Sequence, residues 1–251
     1  MIPENYPVVL VTPVWNDSKR LGVFGPHLAD AIAASGLPIR WIVADDGSCA
    51  EEVEKTRGLI SKFQKQNAVV EGLFLEKRSR KGGAIYQAWI QCPDADWLAF
   101  VDADGAIDAT STIRLIEKAR ELGKQGGCIA IRKNMAEAPV RRKWHRVISF
   151  RLFTALVRWM VRIPFSDTQC GGKVIPGAAF RQVAPKLEER GFVFDVELLL
   201  ALSQTDSQIH EMPVPWAEIG GSKVNMLQDA WNMIRRLQRI RKRMKAGHYV
   251  V

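Results

Sequence analysis

Residues 97–104 read Trp97-Leu98-Ala99-Phe100-Val101-Asp102-Ala103-Asp104, an apolar run that ends on two carboxylates one residue apart. A strand stopping on such a turn sets Asp102 at the edge of a sheet and Asp104 just past it. Together they can hold one hard divalent cation, since Mg²⁺ and Mn²⁺ take oxygen ligands and often bridge a protein carboxylate to a substrate diphosphate. Asp-x-Asp alone is a common acidic turn, and its weight here comes from its neighbours. Val8 to Thr12 runs into Pro13-Val14-Trp15-Asn16-Asp17, Ile39 to Ala44 runs into Asp45-Asp46-Gly47-Ser48, and Lys81-Gly82-Gly83-Ala84 opens a helical stretch. Most of these polar groups stand where an apolar strand stops, and in an open α/β sheet the carboxyl edge is where ligands bind.

The elements that must position these groups alternate. Strands are expected at 8–12, 39–44, 69–75, 97–101 and 127–132, with helices at 18–35, 51–66, 82–91 and 109–122. That alternation predicts an α/β fold: a mostly parallel, twisted sheet with helices on both faces and right-handed crossovers. A chain of 251 residues can bury a full core. No Gly-x-Gly-x-x-Gly follows the first strand and no Walker loop is present, so neither dinucleotide nor P-loop chemistry is supported.

The net charge of +9 implies an anionic partner. Nothing resembles a nucleic-acid-binding motif, so nucleic acid is not expected. Cys49, Cys92, Cys128 and Cys170 are scattered without metal spacing, which argues for reduced thiols and a cytosolic setting. The N-terminus shows no signal peptide, and no uncharged run is long enough to span a bilayer. Two helices carry the excess charge. One, over 144–163, is strongly apolar with Arg151, Arg158 and Arg162 on one face; it suits a membrane interface or a core helix whose arginines reach the surface. The other, over 224–245, is amphipathic and crowds Arg235, Arg236, Arg239, Arg241, Lys242, Arg243 and Lys245 into its last turns. It reads as a membrane-surface helix in preference to a solvated helix end. The chain is accordingly divided into a globular part, 1–223, and a basic amphipathic C-terminal helix, 224–251.

In order, these motifs resemble the GT-A fold of family 2 glycosyltransferases. Asp167-Thr168-Gln169-Cys170-Gly171-Gly172-Lys173, Phe194-Asp195-Val196-Glu197 and Gly220-Gly221-Ser222-Lys223 are similar to segments of polyprenyl-phosphate glycosyltransferases. Trp216-Ala217-Glu218-Ile219 is closer to dolichyl-phosphate glucosyltransferases than to the mannosyl enzymes. The resemblance spans about residues 7–245.

The resemblance implies an inverting transfer from a nucleotide diphosphate sugar, UDP-glucose before GDP-mannose, to a polyprenyl phosphate. The enzyme would lie peripherally on the cytoplasmic face of an anionic membrane. Pro13, Trp15, Asp17 and Asp46 would hold the nucleoside, with Lys81, Asp102 and Ala103 also on the donor. Asp102 and Asp104 would hold Mg²⁺ or Mn²⁺. Arg132, Arg142 and Lys223 would neutralise the acceptor phosphate, while Asp167 and Gln169 would shape the sugar pocket, with Asp167 the candidate base should one be needed. For Asp45 and Asp46 a turn that caps the next helix is the alternative, with Gly47 at positive φ and Ser48 or Asp46 as cap; for Lys81 it is a solvated lysine. Two departures stand out: Asp17 replaces a usual Glu, and Ala106 a frequent Gln near the metal. They keep open a non-catalytic nucleotide-sugar binder or membrane scaffold; the same fold acting on a soluble or glycan acceptor is a separate alternative. A nucleotidyltransferase would need a Gly-rich basic loop after the first strand, which Pro13-Val14-Trp15-Asn16 is not.

Overall fold

A computed structural model describes residues 7–66, 68–134, 140–141, 144–219 and 226–250. Nearly continuous apolar runs form the central strands, as strands covered on both faces require. These are β1 (Val8–Val14), β2 (Ile39–Asp45), β4 (Trp97–Val101) and β5 (Gly126–Ile131), while β3 (Val70–Phe74) is a partly exposed edge strand. Between them run α1 (Ser18–Ser35), α2 (Ala50–Gln64), α3 (Arg80–Ile90) and α4 (Ala109–Glu121). The ends follow from local chemistry. Gly36 closes α1 at φ 62°, and the Asp108 carboxylate accepts from the Ser111 amide at 2.7 Å to start α4.

The expected parallel sheet is present, and the second half of the chain extends it. After β6 (Val140–Arg141) and α5 (Trp144–Val161) come β7 (Gly172–Pro176), α6 (Gly177–Val183), α7 (Phe194–Leu202), β8 (Gln208–Pro213), β9 (Trp216–Ala217) and α8 (Met226–Lys245). The main sheet has seven strands in the order β3-β2-β1-β4-β7-β5-β8, and β6 pairs with β9 apart from it. β7 lies antiparallel between β4 and β5, with Val101 opposite Gly172 and Cys128 opposite Val174. This reversal brings the residues before β7 to the edge where β4 and β5 end. No sequence signal was read for β7 or β8, since β7 is a short run ending on Pro176 and β8 alternates weakly.

Apolar side chains fill both faces of the sheet. One face holds Trp41 stacked on Phe63 at 5.1 Å; the other holds Tyr86, Trp89, Phe100, Phe180 and Phe194 as an aromatic cluster. α5 and α8 divide between core and surface. Val157, Met160 and Val161 of α5, and Leu237 and Ile240 of α8, are buried in the second cluster. The basic turns of α8 therefore differ from the free cationic stripe expected. Arg236 and Arg243 pair with Glu189 at 2.7 and 3.0 Å, and Arg243 also meets Glu188 and buried Glu197. Tyr249 donates to Glu197 at 2.7 Å. Arg239, Lys242 and Lys245 are exposed. On α5, Leu152 and Trp159 are 66% and 67% exposed beside exposed Arg158 and Arg162, and the Arg241 guanidinium lies 5.0 Å over the Trp159 ring. The Arg151 side chain lies outside the described residues. Among the described residues no helix is long and apolar enough to cross a membrane.

All four cysteines are free, and only Cys49 is exposed. Burial pushes the thiols of Cys128 and Cys170 up to about 12, so both stay protonated at neutral pH. Native protein at pH 8 is expected to take up a thiol reagent at Cys49 alone. Peptide mass mapping checks this; labelling of Cys170 in the folded protein would contradict the packing.

Candidate active site

The order β2-β1-β4 places a topological switch at β1, and the carboxyl ends of β1, β2, β4 and β5 share one edge. Residues 167–171 join them because β7 is antiparallel. The Asp102 amide donates to the Gly171 carbonyl at 3.0 Å, and the Ala217 amide donates to the Ala106 carbonyl at 3.2 Å. The loops after β4, before β7 and at β9 are thereby tied together.

Asp102 and Asp104 sit partly exposed at this mouth. Each is approached by a cation. Lys81 Nζ is 2.6 Å from Asp102 Oδ1, and Arg20 Nη1 is 3.7 Å from Asp104 Oδ2. Burial, with the Asp102 charge, raises the Asp104 carboxyl above its ordinary value, against the Ala106 amide at 3.0 Å, Arg20 and Lys81. Burial works against the Lys81 ammonium, but Asp102 and Asp195 outweigh it and hold Lys81 above its ordinary value. Lys81 is therefore paired to Asp102 and is not a solvated lysine. The helix start it belongs to is not free for a ligand: the Gly82 and Gly83 amides donate to the Arg190 carbonyl at 2.8 and 3.3 Å.

The pair fits a hard divalent cation. Both donors are carboxylates, and a Cβ at Gly171 would run into Asp102 Oδ2, so the glycine keeps that oxygen clear. Among the described residues no group of three or more His, Cys, Asp or Glu gathers for a metal. Two carboxylates with the remaining positions left to substrate oxygens and water match the habit of Mg²⁺ in phosphate sites. Ala106 contributes only its backbone.

At β1 and β2 the nucleoside candidates divide. Trp15 is half-buried under the Arg78 guanidinium, whose carbon lies 3.3 Å from the ring centroid. Asp17 binds Arg20 Nε at 2.6 Å, so its carboxylate aligns the arginine that faces Asp104. Pro13 lies within β1 opposite Ala44, and Ala103 is buried between the two acids. Asp46 does not cap α2, whose N-cap is Cys49 without a side-chain bond. Its Oδ1 instead accepts from the Ser79 amide and hydroxyl at 2.5 and 3.0 Å. Ser48 is no cap either, and its hydroxyl accepts from the Asn16 amide at 2.8 Å. Gly47 has φ 70°, and a Cβ there would sit 2.8 Å from the Arg78 nitrogen.

At β5, Arg132 and Asp167 form a bidentate pair with both contacts at 2.7 Å, and the Arg132 amide adds a third bond at 3.0 Å. Burial would raise the Asp167 carboxyl, but Arg132 holds it below the ordinary range. A buried carboxylate held this way is a poor proton acceptor, which argues against Asp167 as a base. The same pairing turns the Arg132 fork toward Asp167, and its guanidinium carbon lies 5.4 Å from the Trp216 ring. The Gln169 amide donates to Asp167 at 3.2 Å, and its side-chain Nε2 is buried without a hydrogen-bond partner, a donor available to a ligand. Arg142 and Lys223 lie outside the described residues.

Arg20, Arg78 and Ser79 were missed from sequence. Arg20 stands one helical turn after Asp17, a spacing that signals an ion pair. Arg78 and Ser79 belong to the basic run Lys77-Arg78-Ser79-Arg80-Lys81, read only for its last member. Lys173 and Asp195 were also given no role. They form a fully buried pair at 2.6 Å behind Lys81.

A family model described as Glycosyl transferase family 2 matches residues 10–181. The dolichyl-phosphate beta-glucosyltransferase of Saccharomyces cerevisiae is 30% identical over 96% of this chain and 75% of its own length. Among solved structures, S. aureus TarS 1–349 in complex with UDP-GlcNAc is similar with a TM-score of 0.59 at 14% identity, over 93% of this chain and 66% of that one. The mannosyltransferase PcManGT from Pyrobaculum calidifontis, in complex with GDP-Man and Mn²⁺, gives 0.60 at 13% identity, over 91% of this chain and 60% of that one. The chain thus spans two thirds or less of those two solved chains.

Proposed function

Because the chain belongs to glycosyl transferase family 2, we propose that it moves glucose from UDP-glucose to a polyprenyl phosphate at a membrane surface, inverting the anomeric carbon. The observation that carries this reading is the strand-end pair Asp102 and Asp104, faced by Lys81 and Arg20, in a chain similar along nearly all its length to a dolichyl-phosphate beta-glucosyltransferase.

An oxygen of the acceptor phosphate attacks the anomeric carbon. The bond from that carbon to the nucleoside diphosphate breaks, and its electron pair leaves on the diphosphate. The acceptor oxygen is already ionised at neutral pH, so no base is required, in keeping with the pairing of Asp167 to Arg132. A divalent cation held by Asp102 and Asp104 would supply Lewis-acid stabilisation of the departing diphosphate. Lys81 and Arg20 add positive charge beside it, and Trp15 with Arg78 offers a flat surface for the base. Gln169 Nε2, buried without a hydrogen-bond partner, would donate to a sugar hydroxyl.

The test is a transfer assay with labelled UDP-glucose and GDP-mannose, Mn²⁺ or Mg²⁺, and dolichyl or undecaprenyl phosphate. Label from UDP-glucose is expected in the organic phase and none in EDTA; label only in water-soluble products would favour a soluble acceptor. The membrane part has its own test. Leu152, Trp159 and the surrounding arginines make an apolar patch ringed by charge, and each basic residue near anionic lipid contributes about 1 kcal/mol. Leu152→Glu with Trp159→Glu is expected to weaken flotation with phosphatidylglycerol vesicles at least tenfold, whereas unchanged flotation would place lipid contact elsewhere.

A further inference from the structure

At the start of α3 lies a cleft of about 410 Å³, its open mouth included, lined by Arg80, Gly191, Phe192, Asn232, Met233 and Arg236. Two arginines meet across Gly191: a Cβ there would lie 3.6 Å from Arg80 Cδ and 3.7 Å from Arg236 Cζ, so the missing side chain keeps the floor open. Arg236 is anchored through Glu189 at 2.7 Å. Arg80 is exposed and has no ion pair among the described residues. It is also held at φ 67°, a conformation that residues with a side chain rarely adopt. Such strain collects at ligand sites, and here the neighbouring Gly82–Arg190 bond fixes it. The opposite wall is apolar. Phe192 is 41% exposed with no core partner of its own, and Met233 packs at the edge of the core.

A planar cationic fork against an apolar wall matches an anionic head on a hydrocarbon chain. Arg80 is the residue before Lys81, whose Nζ meets Asp102, so the cleft and the acidic edge share the start of α3. α8 carries both the cleft residues Asn232, Met233 and Arg236 and the Arg241 that covers Trp159, and so links the cleft to the apolar patch of α5. We infer that this cleft binds a phosphate monoester carrying an apolar chain, with Arg80 and Arg236 on the phosphate and Phe192 and Met233 on the first carbons of the chain. The inference rests on the lipid-phosphate reading of the acceptor and assigns residues that reading did not use.

The test is calorimetric binding of farnesyl phosphate, farnesol, inorganic phosphate and UDP to the full chain and to Arg80→Gln and Phe192→Ala, each checked for an unchanged melting temperature. Farnesyl phosphate is expected to bind the wild-type chain, at least tenfold more tightly than farnesol or inorganic phosphate. Each variant is expected to lose at least tenfold for farnesyl phosphate and to keep its UDP affinity within twofold. Farnesyl phosphate affinity unchanged in both variants would overturn the cleft while leaving the acceptor reading intact. An equal loss of UDP affinity would overturn it by assigning Arg80 to the donor. Wild-type protein that binds UDP but no farnesyl phosphate would overturn the lipid-phosphate acceptor, and the cleft assignment with it.

Discussion

Asp104→Asn is expected to lower transfer about a thousandfold while leaving the melting temperature unchanged or slightly raised. The two halves of this result have separate causes. Asn keeps the shape of the side chain and its bond from the Ala106 amide, but removes one of the two charges that face the departing diphosphate. Loss of about 4 kcal/mol of transition-state stabilisation corresponds to that factor, at 1.36 kcal/mol for each tenfold. In the fold itself the Asp104 charge is a burden, because burial and the neighbouring Asp102 raise its carboxyl above the ordinary value. Removing it relieves repulsion at a partly exposed position. Single-turnover rates and thermal melts on the same preparation check both halves. A variant within tenfold of wild type would mean that the acidic edge does not carry the reaction.

The largest stability effect is expected at Lys173→Met. Lys173 and Asp195 are 0% and 3% exposed and 2.6 Å apart, and the lysine also donates to the Cys170 carbonyl at 2.8 Å. Removing one partner of a buried pair leaves an uncompensated charge and costs about 3–5 kcal/mol. Replacing both, as Lys173→Met with Asp195→Leu, is expected to recover most of it, because the pair lies among Phe100, Phe194 and other apolar side chains. The single variant also has a pH signature. Burial already raises the Asp195 carboxyl, against Lys173 and Lys81, and loss of Lys173 raises it further. A carboxyl with a raised folded value penalises the fold above that value, so the deficit shrinks as pH falls through it toward the ordinary carboxylate range. Urea melts from pH 8 to pH 5 check this. A deficit that stays constant with pH would indicate a packing loss instead of an unpaired charge.

Much of this site was legible in the sequence because it is built on strand ends. Apolar runs terminating at Trp15, Asp45 and Asp102 fix an edge whichever helices cross between them, and the 10–181 family match covers that stretch. Residues 167–171 were assigned to the site by resemblance alone. Only the antiparallel placement of β7, invisible in a short run ending on Pro176, explains how they arrive beside Asp102. Partnerships were the least legible. The sequence offered Asp167 as a base and Arg132 as a phosphate ligand, and the fold pairs them with each other. It offered Asp46 to the nucleoside, with a helix cap as the alternative, and the fold pairs it with Ser79. In α8 the periodicity marked an apolar face and offered it to a membrane, whereas Leu237 and Ile240 of that face pack into the core, and the acids that take up Arg236 and Arg243 come from residues 188–197, far away in sequence.

The central claim is tested most directly by following the reaction by phosphorus and proton magnetic resonance. The protein is incubated with UDP-glucose, Mg²⁺ and a short-chain polyprenyl phosphate, and the anomeric configuration of the product is read from its coupling. The account predicts one new β-linked glucosyl phosphodiester, formed in step with UDP and absent in Asp104→Asn. An α-linked product, free glucose released with UDP, or UDP-glucose left unconsumed while still bound would contradict it.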